Sequence, residues 1–165
     1  MYQIGALKAF CQAAGVPLHH VKPHGALYNM AAKDPALAQA ICRAVQAAAP
    51  EAMLLALSGS EMLKAAQAMG LRVCSEVFAD RAYRPDGTLV PRGLPGAMIE
   101  NEEDAIARVI QMAKQGTVCA ADGSTVTLQA DSVCVHGDGR KALCFVKQLS
   151  EALPAAGIEI KAHSA

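Results

Sequence analysis

Hydrophobic and polar positions follow two different periods along this chain. Some segments carry apolar residues every three to four positions, which is typical of amphipathic helices, whereas short continuous apolar runs are typical of strands. The pattern predicts helices at about 2–14, 35–49, 60–69, 101–115 and 139–153, and strands at about 18–22, 53–57, 72–77, 132–136 and 157–161. This alternation of helices and strands predicts an α/β fold.

The order of the elements also predicts where functional residues lie. Strands separated by helices usually run parallel, with right-handed crossovers, so their C-terminal ends meet at one edge of a sheet. Four or five strands are too few for a closed barrel of about eight, so we expect an open sheet or part of a larger barrel. Residues 79–100 form a long irregular stretch at that edge, and residues 117–130 are expected to form a small surface hairpin.

Composition narrows the class of protein. The chain has 165 residues, 53% of them hydrophobic, which suits one domain with a sizeable core. Fifteen basic and fifteen acidic residues balance, so there is no electrostatic reason to expect nucleic acid or an anionic membrane surface. No apolar run approaches a membrane span and no basic leader is present, which predicts a cytoplasmic protein. The six cysteines lack CxxC spacing and are expected to be reduced core residues.

The beginning of the chain has an unusual pattern. Helix 2–14 has no capping residue before it and no preceding strand for it to cover. We therefore expect an N-terminally truncated single domain spanning residues 1–165. The exposed edge of the first strand would favour self-association, so a homo-oligomer is a further expectation.

The first reactive cluster follows the first predicted strand, in the stretch HVKPHGALYN at 20–29. Side chains alternate in an extended segment, so His20, Lys22 and His24 are expected to share one face. Burying such a row is costly without specific partners, which points to a functional site. Gly25 permits a tight bend after it.

Two further clusters lie at the ends of later strands. Glu76 falls inside the third strand, where a carboxylate needs a Lys, His or metal partner. Asp80 and Arg81 follow it, and a surface ion pair is the structural alternative to a site role for these two residues. His136, Gly137 and Asp138 end the strand at 132–136, where Asp138 is either part of a site or only a helix cap. We expect the three clusters to converge on one pocket.

Together, HVKPHGALYN at 20–29, SEVFADRAYRPDGTLVPR at 75–92 and VCVHGDG at 133–139 closely resemble the LamB/YcsF family, which supplies one component of bacterial 5-oxoprolinase, its A subunit. The resemblance implies a partial (β/α) barrel of the glycoside hydrolase/deacetylase type, with mostly parallel strands and helices outside. It also implies ATP-dependent ring opening of 5-oxo-L-proline (pyroglutamate) to L-glutamate, carried out with partner subunits B and C. In that reaction the lactam carbonyl is activated by phosphorylation before water opens the ring.

The resemblance also carries residue assignments. The family's Lys-Pro-His block is matched by Lys22, His24, Tyr28 and Asn29. The family's acidic loop is matched by Glu76, Asp80, Arg81 and Tyr83, and its His-Gly-Asp turn is matched by His136, Gly137 and Asp138. Of these, Tyr28, Asn29, Tyr83 and Gly137 are expected to bind substrate and the others to act in catalysis. We expect Lys22 or Arg81 to stabilise negative charge, Glu76 or Asp80 to act as base, and His24 or His136 as acid.

Two alternatives stay open at this stage. The first is a metal-dependent, deacetylase-like hydrolase in which His24, His136 and Asp138 hold a divalent ion. The second is a non-catalytic docking fragment of a larger complex, because family members usually begin with additional strands that contribute to the same mouth. Whether ATP or a metal binds this chain does not follow from the sequence.

Overall fold

A computed structural model describes residues 1–137 and 142–162. Within these residues the helices are α1 (Tyr2–Ala13), α2 (Ala26–Ala31), α3 (Pro35–Ala48), α4 (Glu61–Ala68), α5 (Glu102–Gln115) and α6 (Ala142–Ala155). The strands are β1 (His20–Val21), β2 (Met53–Leu57), β3 (Val73–Phe78), β4 (Thr117–Cys119), β5 (Thr125–Thr127) and β6 (Ser132–Cys134). The chain divides into two compact units, Met1–Ser75 and Glu76–Ala165.

The first unit is built around β2. This strand pairs in parallel with β1, with His20 opposite Met53 and Val21 opposite Leu54. Its sequence MLLAL is apolar throughout and almost entirely buried, as is typical of a parallel strand covered on both faces. Helix α4 packs against β2 and α3 packs against α4, so the core of this unit lies between the strand and these helices.

Local capping chemistry sets the helix starts of the first unit. Asp34 Oδ1 accepts hydrogen bonds from the backbone N–H groups of Ala36 at 2.9 Å and Leu37 at 3.1 Å, ahead of Pro35 in the first turn. Ser60 Oγ accepts from the Leu63 N–H at 3.2 Å. Both caps confirm the starts that the sequence predicts.

In the second unit, the end of β3 pairs in parallel with β6. Helix α5 packs against β4 and α6. Asn101 Oδ1 caps α5 by accepting from the Asp104 N–H at 3.0 Å, and the helix ends at Gly116 in the left-handed region, with φ 63°. Strands β4 and β5 are antiparallel, which confirms the hairpin expected at 117–130.

The long irregular stretch at 79–100 is also confirmed. Isolated bridges join Arg81 to Met98 and Tyr83 to Leu89 in antiparallel fashion. The Gly87 N–H donates to the Arg84 carbonyl at 2.9 Å, which closes a turn at Arg84-Pro85-Asp86-Gly87. This stretch is therefore a folded loop with its own backbone hydrogen bonds.

The sheet order is β1-β2-β3-β6, and its strands are parallel. Helices alternate with these strands along the chain. The fold is therefore α/β and consistent with part of a (β/α) barrel, as the sequence and the resemblance imply. No helix in the described residues is both long and apolar enough to cross a bilayer.

Three local expectations are wrong. No strand forms at 157–161, because Gly157 closes α6 with φ 77° and the described residues after it pair with no strand. The strand expected at 18–22 shortens to β1, and the helix α2 that follows it was not predicted. The cysteines are all free, but Cys119 and Cys144 are exposed rather than in the core.

The end of α5 provides a stability prediction. A Cβ at Gly116 would lie 3.1 Å from the Leu128 carbonyl oxygen, and the left-handed backbone there disfavours any L side chain. Gly116→Ala should lower the free energy of unfolding by about 1–2 kcal/mol in urea titrations. The control Gly5→Ala lies inside α1 with no heavy atom within 4 Å of the added Cβ, and should raise it by about 0.5–1 kcal/mol. Equal effects of the two variants would contradict this account.

Candidate active site

The register between β3 and β6 places two predicted site residues side by side. Phe78 lies opposite Cys134, and the Ala79 N–H donates to the Cys134 carbonyl at 3.2 Å, which continues the pairing beyond the strand end. Asp80 and His136 each come two residues after this matched pair. They therefore emerge at the same level from neighbouring parallel strands.

The two side chains form a hydrogen-bonded pair. His136 Nδ1 lies 2.7 Å from Asp80 Oδ2 and 2.9 Å from Oδ1. An ionised carboxylate only accepts hydrogen bonds, so Nδ1 carries the proton that it receives. In the neutral imidazole this leaves Nε2 as the acceptor, the nitrogen able to take a proton from a substrate or water. We refer to these residues as the Asp80–His136 pair.

The surroundings of the pair are partly apolar and partly open. The His136 ring stacks on the Phe78 ring, with centroids 5.8 Å apart and an interplanar angle of 27°. The side chains of His136 and Asp80 remain 24% and 18% exposed. One face of the imidazole is therefore covered while the pair keeps access to solvent, an arrangement suited to general acid–base chemistry.

Arg81 is buried beside the pair, with 4% of its surface exposed. Its Nη2 donates to the Val90 carbonyl, while Nε has no hydrogen-bond partner among the described residues. Burial lowers the pKa of Arg81, and the positive charge of Arg92 lowers it further, whereas the carboxylate of Asp80 acts in the opposite direction. The surface ion pair proposed for Asp80 and Arg81 does not describe this buried guanidinium.

Tyr83 and Glu76 are almost completely buried, at 1% and 2% exposure. The Tyr83 hydroxyl oxygen accepts a hydrogen bond from the Phe78 backbone N–H at 2.9 Å. Burial raises the pKa of Tyr83, and the neighbouring charge of Glu76 acts in the same direction, so the phenol stays protonated. The Lys, His or metal partner expected for Glu76 stays a prediction.

The third cluster is described only in part. Gly137 is exposed and follows His136 directly. A Cβ there would meet no heavy atom of the described residues within 4 Å, its two chain neighbours aside. Asp138 lies outside the described residues, so its role as site residue or cap stays a prediction.

The first cluster lies in the first unit, where the structure brings together Lys22 and Tyr28. Lys22 Nζ sits 5.5 Å from the centroid of the buried Tyr28 ring, a cation–π contact. Gly25 adopts φ 62° and ψ −129°, a conformation that favours glycine, and thereby starts α2 at the expected bend. The side chain of Asn29 donates back to the Gly25 carbonyl at 3.0 Å. His24 is exposed.

The sequence predicts that His20, Lys22 and His24 share one face of a strand, and the structure supports this only in part. β1 ends at Val21, so the alternation inferred for His20, Lys22 and His24 does not rest on continuous strand pairing. His20 instead lies beside His19, with their Nδ1 atoms 3.1 Å apart. The convergence of this cluster with the two clusters of the second unit stays a prediction.

Sequence reasoning missed two contributors to the site. Phe78 looked like an ordinary strand residue, yet its ring packs on His136 and its N–H binds Tyr83. Arg108 lies on α5 and donates to the carbonyls of Arg81 at 3.4 Å and Cys119 at 3.2 Å. No local motif marks a helical arginine that binds distant backbone carbonyls, so only the tertiary structure identifies it.

A metal centre was one of the alternatives left open. In the part of the chain that the structure describes, no three His, Cys, Asp or Glu side chains are grouped to hold a metal ion. Of the suggested ligands, His24 and His136 belong to different units and Asp138 lies outside the described residues. The three-ligand set therefore remains a hypothesis.

Comparison with known proteins gives a family match over the whole chain. The LamB/YcsF family matches residues 1–165. The A subunit of 5-oxoprolinase from Clostridium beijerinckii is 57% identical over 159 residues, covering 96% of this chain and 62% of that protein. The corresponding A subunits from Neisseria meningitidis serogroup A and Bacillus subtilis are 53% and 51% identical, covering 98% and 99% of this chain and 66% and 64% of theirs.

A solved structure shows the same fold. The lactam utilization protein from Thermus thermophilus is 45% identical, with a TM-score of 0.87 over 98% of this chain and 64% of that one. The chain thus spans slightly less than two thirds of the length of these relatives.

The buried Tyr83 generates a pH prediction. A tyrosine in an unfolded chain ionises at about pH 10. The raised pKa keeps Tyr83 protonated in the folded chain, so above that pH the unfolded state binds fewer protons than the folded state. The contribution of Tyr83 to the free energy of unfolding is therefore complete below about pH 10 and falls as the pH rises further. Between about pH 8 and about pH 11, the free energy of unfolding measured by urea titration should fall more steeply for the wild type than for Tyr83→Phe. The control Tyr2→Phe, at a site 88% exposed, should follow the wild type. Parallel curves for wild type and Tyr83→Phe would contradict the prediction.

Proposed function

Because the chain belongs to the LamB/YcsF family, we propose that it acts as the A subunit of ATP-dependent 5-oxoprolinase. The reaction is the hydrolytic ring opening of 5-oxo-L-proline (pyroglutamate) to L-glutamate, with ATP as a second substrate. Support comes from curated relatives at 50–57% identity that are named as this component of 5-oxoprolinase, and from a solved relative named for lactam utilization. Subunits B and C are the partners in this proposal, and the cytoplasm its location.

The Asp80–His136 pair is the observation that supports this function best. A lactam carbonyl is a poor electrophile, so ring opening needs an activated carbonyl, an activated water and a proton for the departing nitrogen. The pair supplies the second and third of these, because Asp80 holds His136 Nδ1 at 2.7 Å and leaves Nε2 as the acceptor. Transfer of a phosphoryl group from ATP to the carbonyl oxygen, with the help of subunits B and C, supplies the first.

The proton transfers follow from this geometry. His136 takes a proton from water through Nε2 while the water oxygen bonds to the lactam carbonyl carbon. The carboxylate of Asp80 stabilises the imidazolium that forms. The same imidazolium then returns its proton to the ring nitrogen as the carbon–nitrogen bond breaks. A second water hydrolyses the acyl phosphate that remains, which releases inorganic phosphate and L-glutamate. Gly137, which follows His136 directly, contributes to substrate binding in this proposal.

Within this proposal Lys22, Arg81, Tyr28, Asn29 and His24 keep the roles expected from the sequence. Lys22 or Arg81 stabilises the negative charge that develops on the lactam oxygen. Tyr28 and Asn29 contribute to substrate binding, and His24 to proton transfer. No step is assigned to a metal ion, since the described residues show no group of ligands for one.

The pair can be tested by amide substitutions that remove the imidazole or the carboxylate. His136→Asn removes the base and Asp80→Asn removes the carboxylate that orients it, so each should lower kcat by about 10²–10⁴-fold. The assay measures glutamate released from 5-oxoproline with ATP, in the presence of subunits B and C. The same assay with Lys22→Ala tests the first cluster.

A matched control is Glu159→Gln, which removes a carboxylate from an exposed ion pair with Lys161 Nζ at 3.0 Å. It should leave kcat unchanged, because exposed ion pairs of this kind contribute little. Turnover at the wild-type rate in both His136→Asn and Asp80→Asn would exclude the pair as the catalytic group. Absence of glutamate release from the wild type with its partners would refute the proposed function itself.

A further inference from the structure

Tyr83 closes the short loop that carries Asp80. The Phe78 backbone N–H donates to the Tyr83 hydroxyl oxygen at 2.9 Å, across a separation of five residues. Phe78 is the last residue of β3, so this bond ties the end of the strand to the far side of the loop. Asp80 lies inside the closed segment, and its position depends on how that segment is held.

Tyr83 is itself fixed from several directions. Its side chain is 1% exposed, and its backbone pairs with Leu89 across the loop. Its carbonyl oxygen accepts from the Ala121 N–H at 2.8 Å, which joins the loop to the hairpin between β4 and β5. The phenol therefore sits on a rigid support, as a group that sets the position of others must do.

The same bond reaches the other member of the pair through Phe78. The Phe78 ring stacks on the His136 ring at a centroid distance of 5.8 Å. The next residue, Ala79, donates its N–H to the Cys134 carbonyl at 3.2 Å. The placement of the Phe78 backbone thus affects both the imidazole face and the loop that carries Asp80.

We propose that Tyr83 is a positioning residue for the Asp80–His136 pair, acting through the backbone and ring of Phe78. This inference rests on the proposed function of the pair. It differs from the family-based expectation that Tyr83 binds substrate, because the hydroxyl oxygen is buried and already accepts the Phe78 N–H. Misplacement of a catalytic group by about 1 Å is enough to cost a large part of the rate.

Tyr83→Phe tests the proposal, since it removes only the hydroxyl and keeps the ring. We expect kcat for glutamate release, measured with ATP and subunits B and C, to fall about 10- to 100-fold. The KM for 5-oxoproline should stay within about twofold, because the substrate loses no contact. The control Tyr2→Phe, at a residue 88% exposed, should change neither constant. A raised KM with unchanged kcat would overturn the proposal in favour of substrate binding.

A double-mutant cycle separates positioning from general destabilisation. If Tyr83 acts through the pair, Tyr83→Phe combined with Asp80→Asn should lose no more kcat than Asp80→Asn alone. Losses that multiply would show an effect independent of the pair and would overturn the proposal. Turnover is expressed per folded protein, with the folded fraction taken from urea unfolding.

Hydrogen exchange of the wild type keeps the proposal testable if Tyr83→Phe does not fold. The Phe78 amide should exchange slowly, because it is buried and bound to the Tyr83 hydroxyl oxygen. Rapid exchange at Phe78 in a folded chain would overturn the proposal. Wild-type turnover in Tyr83→Phe, alongside impaired Asp80→Asn and His136→Asn, would refute this inference alone. Full activity in the latter two variants would instead refute the proposed function of the pair.

Discussion

The parallel register of β3 against β6 is the constraint on which the candidate site depends. Asp80 and His136 are 56 positions apart, the same separation as Phe78 and Cys134 in the paired strands. Side chains alternate along a strand, so a slip of one residue would turn one member of the pair to the other face. The site is therefore specified by backbone hydrogen bonds, and rigid strand ends position its side chains better than a mobile loop would.

Two residues around the Asp80–His136 pair are more deeply buried than the pair itself. Tyr83 and Arg81 are almost entirely buried and bind backbone groups at Phe78 and Val90. Asp80 and His136 remain partly exposed at 18% and 24%. Buried groups keep a fixed geometry, while the Asp80–His136 pair retains contact with water, as the proposed hydrolysis requires.

Much of the fold is predictable from the sequence because its signals are local. The apolar run of β2 matches its predicted bounds, and Asp34 caps α3 through side-chain chemistry that is visible in the sequence. Helix α2 was missed because six residues after a bend give too short a pattern. The strand expected at 157–161 carries an apolar pattern but forms no strand in the structure, since strand pairing depends on distant residues.

The difference between local signals and contacts with distant residues also applies to the candidate site. The sequence predicts that reactive residues lie at the ends of the strands, and the structure places Asp80 and His136 there, just beyond β3 and β6. The pairing itself was not predictable: Asp80 binds His136, 56 positions away, and the sequence offered an ion pair with Arg81 only as an alternative. The role of Phe78 was also hidden, because its ring and backbone contacts arise only from tertiary packing.

The protonated nitrogen of His136 tests the central claim most directly. Long-range ¹H–¹⁵N NMR spectra at alkaline pH, where imidazoles are neutral, distinguish the two tautomers, and His136→Asn identifies its signals among the five histidines. The proton should reside on Nδ1 in the wild type, and this preference should be lost in Asp80→Asn. A proton on Nε2 in the wild type, or a preference for Nδ1 that survives Asp80→Asn, would contradict the account.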